Sequence, residues 1–269
     1  VKDHLRRLIE NTKGDLLKKC VAREYLQARI LQCLQEDGVF MRWVFQGGTA
    51  LRFLYSIPRY SEDLDFSKMT PGASIGFRSA MQHIQSVFEA EGYTPGMKVN
   101  KQKTVSSAFI RFAGLPYEMG LSPHRAQTLS IRVEVDTNPP AGAVTETTLI
   151  RRHVTLNLHH HDKATLLAGK LHALLSRSWM KGRDLYDLIW YLADRTWPGP
   201  NLPFLNAALQ QTGWSGPDMK SDNWRGFLRD KLISVDWEKV RADVLPFLER
   251  GNEIDLLTLD NALSLLESR

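Results

Sequence analysis

The chain has 269 residues, 43% of them hydrophobic and 24% charged, with a formal net charge of +5, the balance of a globular protein with apolar mass for one large domain or two modest ones. Apolar runs such as 43–45 and 166–168 fall far short of the roughly 20 residues that a membrane helix needs, and the polar helical pattern around Lys2, Arg6 and Arg7 lacks the apolar stretch of a secretory signal. No membrane span and a cytoplasmic address are expected, and Cys20 and Cys33, set among apolar helix-period neighbours, are expected to be core thiols rather than a disulfide or zinc framework.

Leu17, Val21, Ala28, Leu31 and Leu34 fall near helical spacing with Gly38 as a stop, which predicts an N-terminal helix over 16–34. Residues 39–45 are apolar and partly β-branched, a strand pattern that breaks at Gly47 and Gly48 before a helix-compatible run over 49–55. Pro58 ends that helix, and Leu64 and Phe66 then alternate with Asp63 and Asp65, so the two carboxylates share one strand face. Residues 75–91 carry Phe77, Met81, Ile84 and Phe88 in a helical pattern that stops at Gly92. Strands are predicted over 106–112 and 128–135, the second with Ile131, Val133 and Val135 facing one way and Arg132, Glu134 and Asp136 the other. A further strand through Val154, Leu156 and Leu158 completes a mixed sheet. From there helices are expected at 163–177, 184–194, 204–211, 224–232, 237–248 and 257–266, without repeats or low-complexity segments. The expected organisation is α+β: N-terminal helices and a sheet-bearing core over 1–160, then a helical region over 161–269 that supplies the second wall of a cleft.

Two carboxylates on one strand face have Cα atoms roughly 6.5 Å apart, a spacing at which both can converge on one Mg²⁺ or bracket two, while Leu64 points inward. An isolated pair of this kind is ordinarily a solvated surface. Here it follows Gly47, Gly48 and Thr49, where missing Cβ atoms let the backbone approach phosphate and the next helix offers its unpaired N–H groups to an anion. That sequence of strand, glycine turn, helix and carboxylate strand is what a metal-bound triphosphate requires for phosphoryl or nucleotidyl transfer. Glu134 is the candidate third carboxylate, as metal ligand or proton acceptor, and Asp136 competes with it. Arg59 and Ser61 are candidates for phosphate or metal-bound water, or else for organising the loop after Pro58.

The blocks GGTALR (47–52), RYSEDLDF (59–66), KLHALLSR (170–177) and KGRDLYDL (181–188) make the chain resemble the AbiEii/AbiGii-type toxin nucleotidyltransferases of the DNA polymerase β-like superfamily. The resemblance implies that Gly47, Gly48 and Thr49 form the nucleotide-phosphate turn, that Asp63 and Asp65 hold the metal, and that Lys170 and Asp184 are a later catalytic-site pair. It leaves the third carboxylate between Glu134 and Asp136. Taken alone, Lys170 is also a solvated helical lysine, and Asp184, just after Gly182, is also a helix N-cap.

The implied reaction moves a nucleoside monophosphate from an NTP to an acceptor and releases pyrophosphate, with Mg²⁺ and alternatively Mn²⁺. The resemblance points to the toxin of a bacterial toxin–antitoxin or phage-defence system, with tRNA, through its 3′ end, as acceptor and a cognate antitoxin as partner. Two rivals use the same residues: nucleotidylation of a protein or small-molecule hydroxyl, and a non-catalytic nucleotide- or antitoxin-binding module. Lys98, Lys101, Lys103, Arg151 and Arg152 are the candidates for an RNA-facing surface, which a sequence pI of about 9.2 weakly favours. Tyr186, Trp190 and Tyr191 suit core packing better than base stacking, and His159, His160 and His161 are expected in a surface turn rather than a metal site, because consecutive residues share no face.

Overall fold

Helical periodicity at the N-terminus yields two packed helices, α1 (Lys2–Glu10) and α2 (Asp15–Glu36). The rings of His4 and Tyr25 lie 5.4 Å apart, so the pair folds back on itself with Leu5 and Ile9 buried. The structure is a computed structural model that describes residues 2–70, 72–102 and 104–268, the Lys101 side chain excepted.

The apolar run at 39–45 does not form one strand. Gly38 takes a left-handed φ of 65° and Val39–Met41 close a 3-10 turn, so the strand shrinks to β1 (Trp43–Gln46), followed directly by α3 (Gly47–Tyr55). Then come β2 (Leu64–Lys68), α4 (Phe77–Ala90), β3 (Pro95–Lys101), β4 (Val105–Ala113), the short α5 (Leu115–Glu118), β5 (Thr128–Asp136), β6 (Thr145–Arg152) and β7 (Val154–His161). They form a seven-stranded sheet in the order β3-β4-β5-β2-β1-β7-β6. β2 pairs antiparallel with β1 and parallel with β5, and β1 pairs parallel with β7, so the sheet is mixed. Phe40, Trp43, Phe45, Phe66 and Phe77 cluster in its core with ring centroids 5.2 to 6.3 Å apart.

Among the described residues six helices follow: α6 (Lys163–Ser176), α7 (Gly182–Ala193), α8 (Leu202–Gln211), α9 (Trp224–Ile233), α10 (Trp237–Val244) and α11 (Leu259–Glu267). The starts of α6 and α8 are capped by Asp162 and Asn201, which accept from the backbone N–H groups of Thr165 and Phe204. α10 is shorter than periodicity predicts because Pro246 converts 245–247 to a 3-10 turn. Gly182 lets α7 approach α10: a Cβ there would sit 2.5 Å from the Val240 carbonyl oxygen.

The chain divides into two compact units. The first takes in the residues up to Tyr55 with Tyr60–Asn138 and Thr147–His160; the second is made of Ser56–Arg59, Pro139–Glu146 and the chain from His161 onward. Among the described residues no helix is long and apolar enough to cross a membrane.

Candidate active site

The carboxylates of the first unit are positioned by the sheet. Leu64 and Phe66 are buried and Asp65 between them is half-buried, so β2 turns its carboxylate away from the core. The parallel register sets Glu134 of β5 directly opposite Asp65, whereas Asp136 falls opposite Ser67. Glu134 is thus the acidic neighbour of Asp65, and its carboxylate also meets Arg132. Burial lifts the Asp136 carboxyl above its usual pKa, and one of its oxygens accepts from the backbone N–H of Asn138 at 2.8 Å.

The glycine turn closes over this strand. Gly47 has φ +79°, and a Cβ built on it would stand 2.6 Å from Asp65 Oδ2, so the absence of a side chain is what admits the carboxylate. Gly48 and Thr49 are buried. The Thr49 hydroxyl donates to the carbonyl of Asp63, and Gln27 Nε2 donates to the carbonyls of Ser61 and Glu62 at 3.1 and 3.0 Å. The loop carrying Asp63 is therefore pinned from α3 and from α2. Among the described residues no three His, Cys, Asp or Glu side chains are already grouped as metal ligands. The donor types nonetheless suit a hard divalent cation: oxygen-only and acidic, from the loop before β2 and from the paired strands β2 and β5.

A second cluster lies in the helical unit. Lys170 of α6 donates to Asp184 Oδ1 at 2.9 Å and lies 2.6 Å from Asp187 Oδ2. Arg59 forks onto Asp187 through Nε and Nη2, each at 2.5 Å, and Arg177 reaches Asp184 Oδ2 at 2.5 Å. Burial alone would raise the Asp184 pKa, but Lys170, Arg177 and Arg59 outweigh it and hold the carboxyl at about 2. Burial would likewise lower the Lys170 pKa, and Asp184 with Asp187 more than offset it, so the ammonium is held above its usual value.

The structure departs from some expectations and meets others. Arg59 is 2% exposed and fully engaged by Asp187, which fits the loop-organising alternative rather than an open phosphate contact. The N-cap of α7 is Lys181, and Asp184 sits in the first turn with its carboxylate on Lys170 and Arg177. Arg152 is not a surface arginine: it pairs with Glu24 at 3.2 Å and lies over Phe53, whereas Arg151 and Lys98 are exposed. Lys103 and the side chain of Lys101 lie outside the described residues. The three histidines are in β7, not in a turn: His160 and His161 are buried, and His159 and His160 meet the Phe40 carbonyl and the Thr148 hydroxyl. Tyr186 and Tyr191 are core residues, and Trp190 packs edge-on against Trp197. Cys20 and Cys33 are buried free thiols.

Sequence reading missed Asp187 and Gln27. Asp187 stands three residues after Asp184 on α7, a spacing that puts both on one helix face and was the available signal. Gln27 left none, since its partners are backbone carbonyls.

The fold, with its mixed sheet, glycine turn and adjoining helices, is that of a nucleotidyltransferase. A profile described as "Nucleotidyl transferase AbiEii toxin, Type IV TA system" matches residues 29–264, and the chain belongs to that family. Among solved structures it is similar to MenT4, a nucleotidyltransferase toxin from Mycobacterium tuberculosis H37Rv, at 16% identity and TM-score 0.56 over 99% of each chain. It is also similar to JHP933 from Helicobacter pylori, at 18% identity and TM-score 0.49 over 93% of this chain and 90% of that one. The likeness to MenT4 is one of fold. No curated protein matches the sequence.

Proposed function

We propose that this chain transfers a nucleoside monophosphate from an NTP to the 3′ end of RNA, with tRNA the acceptor that family membership favours, and that this transfer is the toxic act its antitoxin restrains. The donor half rests on one observation: Asp65 lies in register with Glu134 and two residues from Asp63, beneath a Gly47 turn with no room for a Cβ. Asp63, Asp65 and Glu134 would hold Mg²⁺, or Mn²⁺ in its place; when bound, the ion neutralises triphosphate charge and aligns the in-line displacement that releases pyrophosphate. Gly47 and Gly48, at the start of α3, are assigned to the triphosphate through the helix's first backbone N–H groups, and Thr49 fixes the Asp63 main chain. Lys170 and Asp184 are carried over from the family resemblance as catalytic-site residues; within the helical unit the Lys170 ammonium is held by Asp184 and Asp187.

The test incubates the protein with each labelled NTP and total RNA, wild type beside Asp65→Asn. Wild type is expected to label an RNA band and release pyrophosphate, and Asp65→Asn to do neither. Label on protein or a small molecule with RNA untouched overturns the acceptor. Wild-type turnover by Asp65→Asn at limiting magnesium overturns the metal assignment.

A further inference from the structure

Five cations crowd the bend between α1 and α2: Arg6, Arg7, Lys13, Lys18 and Lys19, against only Glu10 and Asp15. Residues 6–19 thus carry +3 of a chain total of +5. Arg6 meets Asp3 at 3.1 Å and Lys18 approaches Asp15 at 3.9 Å, but among the described residues no carboxylate pairs with Arg7, Lys13 or Lys19. Arg7 and Lys13 are exposed and Lys19 half-buried. At about 1.5 Å per helical residue, all five lie within about 8 Å of the bend along the two helix axes.

α2 runs from this surface toward the carboxylate loop, with its free cation among the described residues at Lys19 and the turns beyond it closed by the Arg23–Glu62 pair and the buried Gln27. Lys19, Arg23 and Gln27 are spaced i, i+4, i+8 and so share a face. At the far end of that face Gln27 bonds the carbonyls of Ser61 and Glu62, and Arg23 lies 3.3 Å from the Glu62 carboxylate. Lys19 is therefore about 12 Å up the same helix face from the loop that delivers Asp63.

The chemistry of this surface selects its partner. The apolar side of α1 is already buried through Leu5 and Ile9, so none is left to enter a membrane. Leu16, 52% exposed, is the only large apolar side chain exposed in that stretch among the described residues, too little for the apolar centre of a protein interface. Clustered cations without carboxylate partners or an apolar anchor fit a phosphate backbone. The family match begins at residue 29, so this surface lies outside it.

We propose that the cations of the α1–α2 bend, out to Lys19 on α2, bind the acceptor's phosphates, with the acceptor's free end directed to Asp63 and Asp65. The proposal rests on the RNA-acceptor reading above. Its test is the full chain carrying Arg7→Glu, Lys13→Glu and Lys19→Glu, assayed for tRNA binding at graded salt and for labelling rate. The KM for tRNA should rise about ten-fold or more and the log–log salt slope of binding become shallower by about 2, while the KM for NTP and the melting temperature hold. Arg7→Lys with Lys19→Arg should retain wild-type values. A triple variant with wild-type tRNA KM and salt slope overturns the bend as the phosphate site and leaves the acceptor reading standing; wild type that labels no RNA overturns both. If the triple variant does not fold, Lys13→Glu and Lys19→Glu singly carry the same comparison.

Discussion

Gly47 answers two demands at one position. Its φ of +79° is strained for any residue with a Cβ, and the space where a Cβ would go is taken by the Asp65 carboxylate. Gly47→Ala should therefore cost about 1 to 3 kcal/mol of stability and reduce transfer far more than that loss explains, because Asp65 must move. Urea unfolding and pyrophosphate release measured on one preparation check this; a variant with wild-type turnover would show that Asp65 has room to spare. At this scale chain order disclosed the succession of glycine turn and carboxylates, but strand alternation placed only Asp65: β2 begins at Leu64 and Asp63 lies in the loop before it. Alternation did not separate Glu134 from Asp136: both lie on the same face of β5, and only the pairing of β5 with β2 selects between them. The roles of Arg59 and Arg152 were hidden for a related reason, as their partners Asp187 and Glu24 are far off in sequence.

Whole elements were legible wherever one face is buried. The long helices and the inner strands β4, β5 and β7 carry apolar residues at the spacing of their own geometry, and they fall near where periodicity puts them. β3 and β6 were not legible. They are the two edges of the sheet, β3 begins with Pro95 and Gly96, and β6 is exposed along most of its length, so neither shows a clean inward alternation. Packed elements are also tied by charge. In the first unit Glu24 of α2 meets Arg52 of α3 at 2.5 Å and His153 at 3.0 Å. Burial opposes its ionisation, but His153, Arg52 and Arg152 hold its pKa at about 2. Asp184 is held at about 2 in the helical unit. Both folded values lie below the usual carboxyl values of about 4, so both groups stabilise the fold fully above that range and lose the contribution as pH falls toward 2. The urea midpoint should be flat above about pH 5 and drop steeply between about pH 4 and 2. Glu24→Gln should be less stable at neutral pH and show a shallower acid limb; an unchanged limb would mean that Glu24 is paired equally well when unfolded.

At the scale of the molecule, the two units interleave in sequence. The helical unit borrows Ser56–Arg59 and Pro139–Glu146 from within the stretch that otherwise builds the sheet. A fragment beginning at His161 would lack Arg59 and leave the buried Asp187 short of its bidentate partner, a loss of about 3 to 5 kcal/mol for a buried pair. Such a fragment should show no cooperative thermal transition by circular dichroism, and adding a peptide of residues 55–60 should not restore one at micromolar concentration. A sharp transition in the bare fragment would show that the borrowed segments are dispensable. The same buried pair sets a clock on biosynthesis. Arg59 leaves the ribosome 128 residues ahead of Asp187, a wait of roughly 6 to 26 s at 5 to 20 residues per second. Until the far helix emerges, the nascent polypeptide holds a charged side chain whose native berth does not yet exist. The helical unit therefore cannot close its buried ion pair, and with it settle the segment around Arg59, before residue 187 has been made.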